Sequence, residues 1–219
     1  MGKKYELTEE TIEFCNRTLY RIKALKDFGD VEVGDLGGYI ESESNLMQEG
    51  CAWVYGNAMV YGSANVYGDA KVFDNANVYG DAKVFDNANV YGDAKVFGSA
   101  DVYGDAKVFG SADVCGSANV YGSANVYGYA NVYGYADVRG DAEIKGKTDY
   151  IVFKNWWSSG RYFTWTRSNN MWKVGYFYGT GKELVEKAYK DSELSGREYE
   201  RVVKYVESIL ADEKKQRKQ

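Results

Sequence analysis

The chain has 219 residues, with 27 lysines and arginines against 32 aspartates and glutamates and a formal charge of −5, which excludes the strongly basic surface of a general nucleic-acid binder. It contains no histidine and no proline, so the commonest general base and metal ligand is missing. Three widely spaced cysteines, Cys15, Cys51 and Cys115, fit free thiols in a reducing compartment better than a disulfide frame, and there is neither an apolar run of membrane-spanning length nor a charged-then-apolar leader.

Residues 1–37 are not repetitive. "KYELTEETIEFCNRTLYRIKAL" alternates apolar and polar residues and predicts two or three strands, with a turn near Cys15, Asn16 and Arg17. "DFGDVEVGDLGGYIESE" then leads into the central region, so this segment is expected to act as an N-terminal cap on it.

From residue 38 to 147 the chain is periodic. Alanine falls at every sixth position from Ala52 to Ala142, sixteen times without a miss. Valine follows two residues later, with Ile144 closing the series, and glycine two residues after that, except at Asp74 and Asp86. Six is not a helical period, and the apolar residues alternate as in a strand. Alanine, valine and glycine occupy even positions; Lys, Asn, Asp and Ser share the odd positions with the aromatic rings. The parity predicts a narrow interior of alanine and valine, with the rings facing out. Glycine supplies a positive-φ corner after each short strand, and aspartate is among the few residues that tolerate that corner.

A short strand and a corner, repeated, make a solenoid. The Ala-x-Val-aromatic-Gly-x unit resembles the hexapeptide-repeat left-handed parallel β-helix family, strongly over 52–146 and weakly over 38–51 through Gly38, Ile40, Leu46 and Gly50. The resemblance implies a mainly β fold, a single-stranded left-handed parallel β-helix of eighteen residues per coil, in about five coils. The usual motif puts its small residue directly after the aliphatic one, whereas here an aromatic intervenes. Stacking at i+18 would set Lys71 under Asn89 and Lys83 under Asp101, which keeps identical cations apart, and would stack Phe73, Tyr91 and Phe109 into an outward ladder. Thirteen of the sixteen aromatic slots hold Tyr or Phe; Cys115, Arg139 and Lys145 are the exceptions.

After Lys147 the composition changes. "DYIVFKN", "RYFTWTR" and "MWKVGYFY" predict three strands. Capping-box spacings at Thr180 with Glu183, and at Ser195 with Glu198, open two amphipathic helices. The expected division is an N-terminal β cap (1–37), the β-helix (38–147), a small C-terminal α+β module of three strands and two helices (148–213) and a solvated tail (214–219). Taken whole, the "GDLGGYIESE" entry, the long repeat and the aromatic α+β end resemble uncharacterised hexapeptide-repeat proteins of bacteriophages and prophages. That resemblance implies a phage-linked role and no particular catalytic residues.

The residues offer little chemistry. Acyltransferases of the β-helix family use a histidine, which this chain lacks, so acyl transfer by that route is closed and by another route is a minor reading. No metal site is expected from isolated cysteines. "GTGK" at 179–182 fails the phosphate-loop spacing at Tyr176 and Glu183. The aspartates at 69, 81, 93, 105 and 141 fit turn propensity. Residues 52–146 carry eleven acidic and six basic groups, a charge density far below that of a nucleic-acid duplex, so mimicry of DNA is disfavoured.

The surplus of rings, 21 of them tyrosines, is the better lead. Trp156 and Trp157 are adjacent and cannot both face one side of a strand, so one is expected to be exposed near Arg161, and Trp, Tyr and Arg dominate interface energetics. Tyr129 and Tyr135 replace small corner residues in the last coils, where they seat the module or meet a partner. The sequence therefore predicts a non-enzymatic interaction protein of the host-cell cytoplasm. It has no catalytic residues, no metal and no cofactor. Trp156, Trp157, Arg161, Tyr129 and Tyr135 contact a protein partner, with inhibition of a host defence protein by steric masking as the narrower form. The expected partners include neither nucleic acid nor membrane. Removal of 148–219 is expected to leave the rod folded. The alternatives are a homo-oligomeric structural or virion component joined through aromatic faces, and capture of a sugar or nucleotide.

Overall fold

The computed structural model describes residues 2–216. Strands β1 (Tyr5–Phe14), β2 (Arg17–Ala24) and β3 (Leu36–Ile40) come first. Sixteen two-residue rungs follow at six-residue intervals, from Trp53–Val54 to Glu143–Ile144. Then come β4 (Tyr150–Lys154), β5 (Tyr162–Thr166), β6 (Met171–Val174) and β7 (Phe177–Gly179), and the helices α1 (Gly181–Asp191) and α2 (Glu193–Gln216).

The rungs pair in parallel with a shift of eighteen residues, as in Lys71–Asn89–Lys107 and Lys83–Asp101. Every third rung shares a sheet, which gives a prism with three faces. One face is a six-stranded sheet. Another has five strands, with Leu46 bridging to Val66 beneath it. The third is part of an eight-stranded sheet to which β1 and β2 add an antiparallel edge. Each face is thus six levels deep rather than about five. The extra level comes from Ile40 and Leu46, which pack under Val60 and Val66. The alanines and valines of the repeat are fully buried, and no ring of the ladders enters the lumen. Burying each valine stabilises the prism by about 1.5–3 kcal/mol, and alanine keeps the opposing walls close.

The corners have positive φ, including Asp74 (φ 62) and Asp86 (φ 56) in glycine positions. At Gly68 (φ +72) an added Cβ would lie 2.9 Å from the Asp86 nitrogen. The two aspartates are more than tolerated substitutes, because Asp74 accepts from the Gly92 N–H of the next coil at 3.1 Å and Asp86 from Gly104 at 3.3 Å.

Backbone polarity alternates with side-chain direction. The N–H and C=O of odd residues point to the next coil, and those of even residues to the previous one, as in Asn65 N–H to Ala82 C=O. The first coil therefore leaves even-numbered groups free and the last coil odd-numbered ones. At the N-terminal end Lys4 Nζ donates to the Ala52 carbonyl (2.9 Å), Tyr5 Oη to Leu46 (2.6 Å) and Asn45 Nδ2 to Gly62 and Ala64. Trp53, a fully buried ring at an outward position, is packed between Tyr5 and Phe28.

At the other end the C-terminal sheet supplies the partners. Asp137 N–H donates to Thr164 Oγ1 (2.9 Å), Glu143 N–H to Ser168 Oγ (2.7 Å) and Lys145 N–H to Asp149 Oδ2 (2.8 Å). Tyr150 Oη donates to the Asn131 carbonyl and Tyr178 Oη to that of Arg139. The module thus takes the place of a seventh level, which weighs against the expectation that the rod folds without residues 148–219.

The C-terminal sheet has four antiparallel strands rather than three, because Gly175 (φ 54) and Tyr176 turn "MWKVGYFY" back on itself. Its core of Phe163, Trp165, Trp172, Val174 and Leu184 packs on Val203 and Val206 of α2. Thr180 and Glu183 form the capping box of α1. The second helix starts earlier than its expected box, since Ser192 Oγ accepts from the Ser195 N–H. That helix runs through 216, so 214–216 of the expected tail are helical and 217–219 lie outside the described residues.

Candidate functional site

Outside the lumen the rings form three columns, with one ring per coil except at Cys115, Arg139 and Lys145. Phe73, Tyr91 and Phe109 are parallel at 4.8 and 4.9 Å. Each ring in the middle of a column is covered by its neighbours, and the hairpin of β1 and β2 covers the lower rings Tyr61 and Tyr79. Cover ends where the coils end. Tyr129 is 86% exposed, Tyr133 62%, Tyr135 56% and Trp156 80%, and every strongly exposed ring of the described chain lies at or after Tyr129.

Of these rings, Tyr133 and Tyr135 border a cleft of about 350 Å³ where the last coil meets the C-terminal sheet, lined also by Tyr150 and Tyr162 with Asn131 and Lys147. Tyr135 stacks on Tyr162 at 4.4 Å with planes 13° apart. Lys154, opposite Tyr162 in the β4–β5 register, sets its ammonium 5.8 Å from that ring. Burial pushes the Tyr150 phenol up to about 12, so it stays a neutral donor. The chemistry is that of a recognition surface: flat faces, two lysines and neutral phenols.

A larger hollow of about 980 Å³ lies near the other end, against Asp30, Tyr55, Lys71 and Phe73. It is broad and open, and several of its charged and polar groups already bond one another. Asp30 accepts from Lys71 and from Tyr55 at 2.8 Å each, and Asn75 donates to Asp93 at 3.2 Å. The Lys71 ammonium bonded to Asp30 holds that carboxyl below its usual range. Its one lysine and its nearest carboxylate are already paired, whereas the cleft at the C-terminal end offers several ring faces and two lysines and is the stronger candidate.

The five residues singled out from the sequence are not in one place. Tyr135 lines the cleft and Tyr129 stands free on a neighbouring corner. Trp156 projects from the loop between β4 and β5, edge-on to Trp157. Trp157 turns inward against Phe163 and Tyr199 and belongs to the module core. Arg161 lies against Gly175 beside a separate small pocket with Tyr176 and Tyr199. Tyr133, Tyr150 and Tyr162 were not identified from the sequence. One signal was available for Tyr133: the repeat stops at Gly146, so no ring can cover a residue one coil below.

No group of three or more metal-ligating side chains occurs among the described residues, and none of their helices is long and apolar enough to cross a membrane.

No protein-family model matches the chain. Part of it is similar to the uncharacterized acetyltransferase YdcK of Escherichia coli (strain K12), with 41% identity over 61 residues, covering 24% of this chain and 19% of that protein. The matched stretch thus spans about a fifth of the curated relative's length. The likeness supports a hexapeptide-repeat β-helix. It also overturns the expectation that the chain is not an enzyme. The absence of histidine is too narrow a ground for that expectation, since carboxylates, lysine and tyrosine also act as general acids and bases.

Proposed function

We propose that the protein is a rigid β-helix platform that holds a protein partner at the C-terminal end of its solenoid. Tyr129, Tyr133, Tyr135 and Trp156 are the contact residues. The observation that carries this reading is that the coils expose no ring strongly before Tyr129 and then expose Tyr129, Tyr133 and Tyr135 in succession, while Tyr176 and Tyr205 stand exposed on the module itself. Exposed apolar patches mark interaction sites, and Tyr and Trp are the residue types that anchor them. The narrower form, in which the partner is a host protein masked by a phage product, rests on the resemblance in chain order alone.

The test uses the full chain as bait in quantitative affinity capture from bacterial lysate, followed by reconstitution with the purified partner. The double substitution Tyr129→Ser, Trp156→Ser is expected to weaken the reconstituted complex by at least about thirtyfold, the effect of one hot spot. Val33→Ser, exposed at the opposite end, is expected to leave it unchanged. Full retention by the double variant removes the proposal.

A second reading is acyl transfer, favoured by the likeness to a protein named an acetyltransferase. It is compatible with partner binding. Acetyl-coenzyme A should then raise the melting temperature of the full chain, and incubation with candidate amine and hydroxyl acceptors should release free coenzyme A. A flat thermal response together with no release would count against it.

A further inference from the structure

The ring columns contain one unfilled place. Stacked neighbours sit 4.7 to 5.1 Å apart with planes within 6°. Three slots lack a ring: Cys115, Arg139 and Lys145. Lys145 lies at the top of its column, above Tyr127. Arg139 fills its slot with another flat group, its guanidinium 5.4 Å from the Tyr121 ring and 5.2 Å from that of Tyr178. A planar group therefore takes a missing ring's place and is held on both faces.

Cys115 is interior to its column and has no such filler. The register Lys95–Asp113–Asn131 sets Phe97 one coil below it and Tyr133 one coil above. Phe97 stacks on Tyr79 at 4.9 Å on its lower side and has no ring partner above. Two coils at ~4.8 Å put the levels of Phe97 and Tyr133 ~9.6 Å apart. That is the depth at which Tyr91 is held between Phe73 and Phe109. A thiol fills little of it. Cys115 is partly exposed, so the place opens to solvent. Burial, with Asp113 nearby, pushes its thiol up, which leaves a neutral S–H floor.

Two residues before each ring position is another outward side chain. Asp113 stands beside the gap, between Lys95 and Asn131, and its carboxylate makes no hydrogen bond or ion pair among the described residues. A carboxylate is an acceptor only. The occupant it selects is flat, one ring layer thick and provided with N–H groups on an edge. Stacking alone accepts any base; the carboxylate adds the choice.

We propose that the missing ring at Cys115 is a binding slot for a heteroaromatic base of the guanine type, stacked between Phe97 and Tyr133 with its N–H edge on Asp113. The slot shares Tyr133 with the cleft assigned to a protein partner, whereas Phe97, Asp113 and Cys115 lie outside that cleft, so substitutions at Cys115 and Asp113 test the slot without altering the cleft's lining.

Guanosine is the probe, titrated into the full chain by calorimetry, with 1-methylguanosine, which lacks the N1–H, as the comparison. Wild type is expected to bind guanosine saturably and about tenfold more tightly than the methylated form. Cys115→Tyr and Cys115→Phe restore the ring that the repeat carries elsewhere. Each should raise the melting temperature and reduce guanosine affinity by at least about tenfold, while Cys115→Ala keeps it. Asp113→Asn should erase the preference over 1-methylguanosine. Guanosine should also slow iodoacetamide alkylation of Cys115 in wild type relative to Cys15, which is a readout independent of any variant's folding. Absence of saturable binding to wild type overturns the proposal, as does unchanged guanosine affinity in a folded Cys115→Tyr variant or alkylation of Cys115 at an unaltered rate.

Discussion

Replacing Thr164 by valine removes one acceptor from the seam that closes the solenoid and changes almost nothing else. The two side chains have nearly the same shape, so no cavity opens. Thr164 is buried, and its Oγ1 accepts the Asp137 N–H at 2.9 Å. No further coil exists to take that N–H. The neighbouring Asp137 carboxyl is raised above its usual range, chiefly by burial, and its Oδ1 has no partner, so the surroundings are too dry for water to compensate freely. Leaving a buried donor unpaired costs about 1–3 kcal/mol, which for a chain of this size lowers the melting temperature by roughly 2–12 °C. The local readout is amide hydrogen exchange. The Asp137 amide should lose protection, while the amides of Asn119 and Asp101, which hold the same place in lower coils and donate to Ala136 and Ala118, should stay as protected as in wild type. Thr18→Val, whose exposed hydroxyl bonds Glu13, is the control and should shift stability by less than about 0.5 kcal/mol. An unaltered melting temperature together with intact protection at Asp137 would refute the capping argument.

Three further outcomes are expected. Gly68→Ala should destabilise by at least about 1–2 kcal/mol in chemical unfolding, from the left-handed corner alone, with the contact to the Asp86 nitrogen adding to it; a neutral result would mean that the corner relaxes. Asp74→Ala should cost about 1–3 kcal/mol because it loses the bond from Gly92, whereas Asp74→Gly should fall nearer zero because glycine relieves the positive φ; equal costs would contradict the division. Burial holds the Lys4 amine down to about 8. Above pH 8 the unfolded chain binds more protons than the folded one, so this group's contribution to stability rises with pH until the unfolded amine also titrates near 10.5. The stability difference between wild type and Lys4→Met should therefore grow from about pH 8 to about pH 10, and a flat or falling difference would show that the amine is not desolvated.

The prism is legible residue by residue. A six-residue period with strict parity leaves one way to bury sixteen alanines and their valines, and the same parity sends the rings outward and stacks them at eighteen-residue intervals. These are local rules repeated, so each unit carries its own instructions. The ends are different. Which backbone groups remain open follows from parity, but which side chains reach them depends on contacts across tens of residues, such as Lys4 to Ala52 and Thr164 to Asp137. The same holds for the candidate site. Exposure of Tyr129, Tyr135 and one of the two adjacent tryptophans was legible from broken periodicity. That Trp157 turns inward, that Arg161 lies apart and that Tyr133, Tyr150 and Tyr162 share a cleft was decided by how the four-stranded sheet docks on the last coil. No local pattern encodes that docking, because it is settled by the last coil's unpaired backbone groups finding partners on another element.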